Sequence, residues 1–393
     1  MSGSMESDER MLLGEPSAEW LAFDKAHPEL DINNIDDPPL FLENPAAFRD
    51  SANSVKEESV RKLLVKAGLV SKVTKRDYLV PVDDGADSVP VRVYRYASAS
   101  SSSSPKSTPE VKLPTFIYLH GGGFLLGTSS TEDLPCSTWA SLLGSEFLVV
   151  SVCYRHTPEH VFPTQNSDAW DCLNWIFTHA EMLGADVEKI VLGGVSSGGN
   201  LAAGVALRDV GEGGRRLKGL VLGMPWLVHR DAYRPPLRRS NDGGSMVQCR
   251  EAPIMPGSRY DLFTDLLEVN TKEERERFSV GLVDGGRPKG MPATAVLVCG
   301  RDMLRDEGMD FAERVEGVGT PTKKHVFKGL PHAFTKYYDL PSSRRFDELM
   351  AESIRWCLDD GRKADEKGVW EVEEGKMANG KEGRYDCSLC LIE

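Results

Sequence analysis

Along the chain, the spacing of apolar and polar positions changes character several times. Up to about residue 70, apolar residues recur at three- and four-residue steps in SAEWLAFDKAHPEL (17–30) and SVKEESVRKLLVKAGLV (54–70), the spacing of one helix face. From Asp77 the period becomes two. YLVPV (78–82) and VPVRVYRY (89–96) alternate and are rich in β-branched residues, which predicts strands. The stretch ASASSSSSPKSTP (97–109) has the composition of a flexible exposed loop, and its place between two strands predicts a hairpin connection. Short apolar runs then follow: TFIYLH, EFLVVSVCY, KIVLGG, LKGLVLGM, ATAVLVCG and KKHVFKG. Helix-like segments such as SDAWDCLNWIFTHAEML and RFDELMAESIRWCLDD lie between most of them. Strands without alternation are buried on both faces, so the fold class predicted is α/β, with a mostly parallel central sheet flanked by helices.

The rhythm breaks between Met224 and Ala293, an interval that contains HRDAYRPPLRRSNDGGSM. That interval predicts an inserted cap. After Asp360 the composition turns to Lys, Glu and Gly, which predicts a poorly ordered tail. The expected organisation is an N-terminal helical cap segment (1–70), a first core part (71–226), a cap insertion (227–285), a second core part (286–360) and a flexible C-terminal tail (361–393). No internal repeat is visible.

Composition narrows the partners. A formal net charge of −13 over 393 residues argues against nucleic acid, which requires a basic footprint. No apolar run approaches the roughly 20 residues of a membrane span, and the polar, acidic start lacks the pattern of a secretory signal. The eight cysteines are therefore expected to be reduced thiols in a cytosolic protein. CSLCLIE at the end has the outline of a prenylation signal at Cys390, with Cys387 as a palmitoylation candidate. However, the final Glu393 and the non-basic EGRYD upstream favour an unmodified tail and no stable membrane association.

Four places carry chemistry. In GGVSSGGN (193–200) the pattern G-x-S-x-G sits after a buried strand and before a helix, the setting of a nucleophile elbow. The turn is tight enough that the residues two before and two after the nucleophile must be nearly free of side chain. Centring on Ser196 puts Gly194 and Gly198 there, whereas centring on Ser197 puts Val195 there. Ser196 is the candidate nucleophile. The competing reading is a glycine-rich βα turn that binds phosphate at a helix N-terminus. The second place is HGGGF, His120 to Phe124, whose consecutive glycines turn amides towards a developing oxyanion. The expected donors are the amides of Gly122, Gly123 and Ser197, with His120 and Gly121 structural. In the third, CGRDMLRDEG, Asp302 stands where a triad carboxylate belongs, while Asp306 and Glu307 are displaced into a helix. In the fourth, KGLPHAF, His332 lies after the last strand and completes the order Ser…Asp…His. The sequence shows no clustered His/Cys/Asp ligand set and no G-x-x-x-x-G-K-[ST], so neither a metal nor another cofactor is expected.

With HGGGF, GVSSGGN, DMLRDEG, GLPHAF and YRHTPEHVFP (154–163) in place, the chain from about Val89 to Cys357 resembles the hormone-sensitive-lipase-like family of α/β-hydrolases. The resemblance implies a Ser196–His332–Asp302 triad that cleaves carboxylic esters through an acyl-enzyme, with a cap that selects acyl and alcohol groups. Short esters, acetyl to hexanoyl, are the implied substrates. In the segment that matches the family's Tyr-Arg-x-x-Pro-Glu, Arg155 and Glu159 are expected to form a buried ion pair that shapes the oxyanion loop. Two positions depart from the family: Val195 replaces the usual Asp before the serine, and Met303 the frequent Pro after the triad Asp. A thioester or lactone hydrolase or acyltransferase of secondary metabolism would use the same triad. A non-catalytic receptor is a third possibility, since the family includes a hormone receptor without the catalytic histidine. The insertion's arginines, 230, 234, 238, 239, 250 and 259, suit either a carboxylate-bearing substrate or a solvated surface.

Overall fold

A computed structural model describes residues 5, 7–28, 43–97, 111–233, 244–282, 289–359 and 368–375. Among these residues lies one nine-stranded sheet: β1 (Val73–Val82), β2 (Asp87–Tyr96), β3 (Leu113–Leu119), β4 (Leu148–Val152), β5 (Ala185–Val195), β6 (Leu217–Gly223), β7 (Ala293–Arg301), β8 (Thr322–Pro331) and β9 (Trp370–Glu373), ordered β1-β2-β4-β3-β5-β6-β7-β8-β9. The β1/β2 and β2/β4 pairs are antiparallel, and all others are parallel. Because β4 lies between β2 and β3, the serine-rich connection is not a hairpin. Residues 98–109 themselves lie outside the described residues, but the strands they join are not neighbours.

Side-chain alternation sorts each strand onto two cores. Ile117, Val150, Leu192, Leu222 and Val296 face one side, and Phe116, Val149, Val191, Val221 and Leu297 the other. The helices that cover these faces are α1 (Ser7–Leu13), α2 (Ala18–Ala26), α3 (Pro45–Lys66), α4 (Asp133–Leu143), α5 (Thr164–Thr178), α6 (Ser197–Gly211), α7 (Gly257–Leu266), α8 (Lys272–Phe278), α9 (Arg305–Gly317) and α10 (Pro341–Cys357), with shorter turns between. α5 and α6 pack on the first face with Trp170, Leu173 and Ala202. α4 and α10 pack on the second with Trp139, Phe346 and Ile354.

The poorly ordered tail expected after Asp360 is corrected at β9, which pairs in parallel with β8 through Lys324↔Trp370 and Val326↔Val372. Trp370 is 5% exposed. An open sheet edge and one large aromatic ring outweigh a polar composition here.

One buried carboxyl on α10 gives the fold a pH signature. Asp347 accepts from the Trp139 indole at 2.9 Å, and burial pushes its pKa up to about 7. The folded value lies above the unfolded one, so the native state holds this proton more tightly. Its contribution to stability is complete below about pH 4 and is lost as pH rises through 7, by up to about 1.4 kcal/mol per pH unit. Asp347→Asn keeps the acceptor and removes the charge. By circular dichroism, its melting temperature should exceed the parent's at pH 8, and the gain should disappear at pH 4.5. An equal shift at both pH values would refute this assignment.

Candidate active site

β5 ends at Val195 and α6 begins at Ser197, so Ser196 alone makes the turn. Its φ of 55° and ψ of −120° lie outside the regions open to most L-residues. The surroundings hold it there: the Ser196 amide donates to the Gly223 carbonyl at 2.9 Å, and its carbonyl accepts from the Trp226 amide at 3.0 Å. A Cβ on Gly194 would collide with the Gly198 carbonyl, and one on Gly198 with the Leu119 carbonyl. The turn thus leaves no room for side chains at either flank.

Asp302 follows β7 and His332 follows β8, so the loops at the carboxyl ends of three parallel strands converge, the usual place for a site in an open α/β sheet. His332 Nε2 lies 2.9 Å from Ser196 Oγ, and its Nδ1 lies 2.7 Å from Asp302 Oδ2. The other carboxylate oxygen of Asp302 accepts from the Leu304 amide at 2.9 Å. All three residues are at most 5% exposed. The neighbouring acids are occupied elsewhere. Asp306 accepts from the Ser245 amide and pairs with Arg305. Glu307 accepts from the Leu227 and Val228 amides and from the Tyr233 hydroxyl, and burial pushes its pKa well above the ordinary carboxyl range. Val195 is partly buried beside the Gly223 backbone, and Met303 is buried.

The glycine loop follows β3. Gly122 and Gly123 have φ of 124° and 62°, open to glycine and costly for other residues. A Cβ at Gly121 would stand 3.0 Å from the Val195 carbonyl and 3.3 Å from Ser196 Cβ, so this loop lies directly against the elbow. A Cβ at Gly123 would strike the ring of Phe263 on α7. His120 is buried and stacks on Tyr154 at 4.4 Å. The Tyr154 hydroxyl donates to the His120 carbonyl at 2.7 Å and lies 3.4 Å from Ser197 Oγ. Burial lowers the His120 pKa.

The expected Arg155–Glu159 pair is not formed. Arg155 pairs with Asp168 of α5 at 2.6 Å and with Asp83 and Asp87. Glu159 pairs with Arg49 of α3 at 2.6 Å. Asp168 has a fully buried side chain while that of Glu159 is 46% exposed, so the buried carboxylate has the greater need of a cation. Of the insertion's arginines, 234, 238 and 239 lie outside the described residues. Arg230 pairs with Asp261 and Asp265, Arg250 with Asp261, and Arg259 donates to the Ile254 carbonyl.

Reading the sequence alone missed Phe263 and Asp168, each brought in by packing between distant elements, and the partners of Glu307, which it had set aside in the helix. It also missed a cluster of His120, Cys153 and His156, whose ligand-capable atoms all lie within 4.8 Å of one another. The only local signal was the C-Y-R-H run.

The sheet order and the loops that meet on it define an α/β-hydrolase fold. A family model described as alpha/beta hydrolase fold matches residues 116–336, more than half of the chain. The chain is 29% identical over 245 residues to the esterase LipI of Mycobacterium tuberculosis, covering 59% of this chain and 69% of that protein. The structure of EstE1, a thermostable carboxylesterase from a metagenomic library, aligns with a TM-score of 0.66 at 30% identity, covering 80% of this chain and 98% of that one. Vibralactone cyclase aligns with a TM-score of 0.73 at 26% identity, covering 88% and 96%. The chain belongs to the hormone-sensitive-lipase-like carboxylesterases of the α/β-hydrolase fold, and it is a serine ester hydrolase.

Proposed function

We propose that Ser196, His332 and Asp302 are the triad of a carboxylesterase for small esters. The observation that carries this is the continuous contact from Ser196 Oγ to His332 at 2.9 Å and on to Asp302 at 2.7 Å. His332 Nε2 takes the Ser196 proton as the oxygen attacks the ester carbonyl. Asp302 holds the imidazole with its Nδ1–H directed away from the serine. The amides of Gly122, Gly123 and Ser197 receive the oxyanion. His332 then returns the proton to the leaving alcohol, and water releases the acyl group by the same steps in reverse order.

The segments 1–70 and 227–285 act as the cap over this centre. Support comes from Phe263, whose ring stands against Gly123 and narrows the space beside the oxyanion, favouring short acyl groups. No helix among the described residues is long and apolar enough to cross a membrane. Cys387, Cys390 and most of the tail after residue 360 lie outside the described residues.

A fluorophosphonate probe should label the purified protein at Ser196 and should still do so after treatment with a chelator. Absence of labelling in folded protein would return the receptor reading. Loss of labelling with the chelator would overturn the triad. The likeness to vibralactone cyclase favours a second reading, a lactone-forming or lactone-opening enzyme of secondary metabolism. Turnover of lactones well above that of p-nitrophenyl acetate would select it.

A further inference from the structure

The parallel register of β3 and β4 places Leu119 opposite Val152. The next residue on each strand is a potential metal ligand: His120 on one, Cys153 on the other. Three residues further on, the chain after β4 brings His156 over the same point. The His120 and His156 rings lie 5.3 Å apart.

The state of the two imidazoles is informative. His120 Nδ1 lies 2.8 Å from the Gly121 carbonyl oxygen. A carbonyl only accepts, so Nδ1 carries the proton and Nε2 presents its lone pair. That Nε2 is buried and has no hydrogen-bond partner, and the same holds for Nε2 of His156. Buried nitrogens are nearly always partnered, so two orphans on neighbouring rings of one cluster call for an explanation. A hydrogen bond from one ring nitrogen to a carbonyl is also the usual means of orienting a metal-bound histidine. Gly127 makes room for the ring, since a Cβ there would overlap His120.

Access comes from the other side. Cys153 is only partly buried and forms part of the lining of a surface cavity of about 490 Å³. Glu57 lines it as well and attracts cations, while Asp77, also in the lining, is paired with Arg92. The buried Glu132 carboxylate adds negative charge near His120 and Cys153, offset in part by Lys56 at 2.8 Å.

We propose that His120, Cys153 and His156 form a binding site for a thiophilic divalent cation of the zinc class, seated at the root of the glycine loop. Two imidazoles and one thiolate suit such an ion, and a fourth position stays open towards the cavity for water. Zinc–nitrogen and zinc–sulfur bonds of about 2.0 and 2.3 Å require the three ligand atoms to draw together by small side-chain rotations. The Cys153 thiol releases its proton to solvent as the Zn–S bond forms. The bound ion ties the end of β4 to His120. This site is independent of the triad assignment: the cation sits behind the loop and takes no part in ester cleavage.

The test uses the full-length protein, stripped with a chelator and dialysed. Calorimetric titration with Zn²⁺ should show one equivalent bound, with a raised melting temperature. Cys153→Ser and His156→Leu should each weaken binding by about 100-fold or more, losses at the upper end of those reported even for outer partners of metal ligands. Co²⁺ should give a near-ultraviolet thiolate charge-transfer band that Cys153→Ser abolishes. Circular dichroism of both variants reports that they are folded. The proposal is overturned if Zn²⁺ does not bind the folded parent, or if both folded variants bind it as the parent does.

Discussion

Ser196→Ala should lower hydrolysis of p-nitrophenyl acetate by roughly 10³-fold or more, the loss seen when a triad nucleophile is removed. Ser197→Ala should stay within a few-fold of the parent. The two serines are adjacent, yet only Ser196 Oγ reaches His332, at 2.9 Å. The Ser197 hydroxyl points to the Tyr154 hydroxyl at 3.4 Å, and the mechanism asks only for its backbone amide. The loss in Ser196→Ala should fall on kcat, because the alanine variant still binds the ester. If Ser197→Ala were the inactive variant, the placement of the nucleophile would be wrong by one residue.

The second large effect is expected at Asp302. Asp302→Asn preserves size but presents the wrong partner to His332 Nδ1, and a loss of about 10⁴-fold in kcat is expected, as in other triads. Asp306→Asn is the internal control. It lies four residues further on in the same motif, is buried, and pairs with Arg305 and the Ser245 amide. Its removal should lower the melting temperature and leave kcat within about tenfold, because a structural carboxylate acts through stability. Steady-state kinetics beside thermal melts separates the two roles. Equal kinetic losses in both variants would show that the acid has been misassigned.

The strands of the parallel core, β3 to β8, were legible because each is a short apolar run, and the proposed site because its signals are local. Glycine spacing points to the elbow, and chain order to the proposed acid and base. What the sequence hid depends on which strands become neighbours. Nothing in the period of β2 or β3 says that β4 enters between them, so the serine-rich connection looked like a hairpin. The partner of Arg155 was hidden for a similar reason. Glu159 is nearer in sequence, but α5 carries a buried Asp168 to the guanidinium, and a buried charge governs the pairing more strongly than sequence distance. The His120–Cys153–His156 cluster exists only because two parallel strands end side by side, a fact of register that no spacing along the chain records.

The small strand β9 has a practical consequence. Without it, β8 would be the outer strand, with a row of unpaired backbone donors and acceptors open to strand addition from other molecules. β9 fills that row from within the same chain and carries acidic side chains, Glu371 and Glu373, at the new border. A shortened version cut at residue 360 would therefore keep the described active-site residues and still be a poor reagent, prone to intermolecular β-pairing and loss during concentration. A boundary placed after Gly375 retains the guard strand and gives the better starting point for crystallisation.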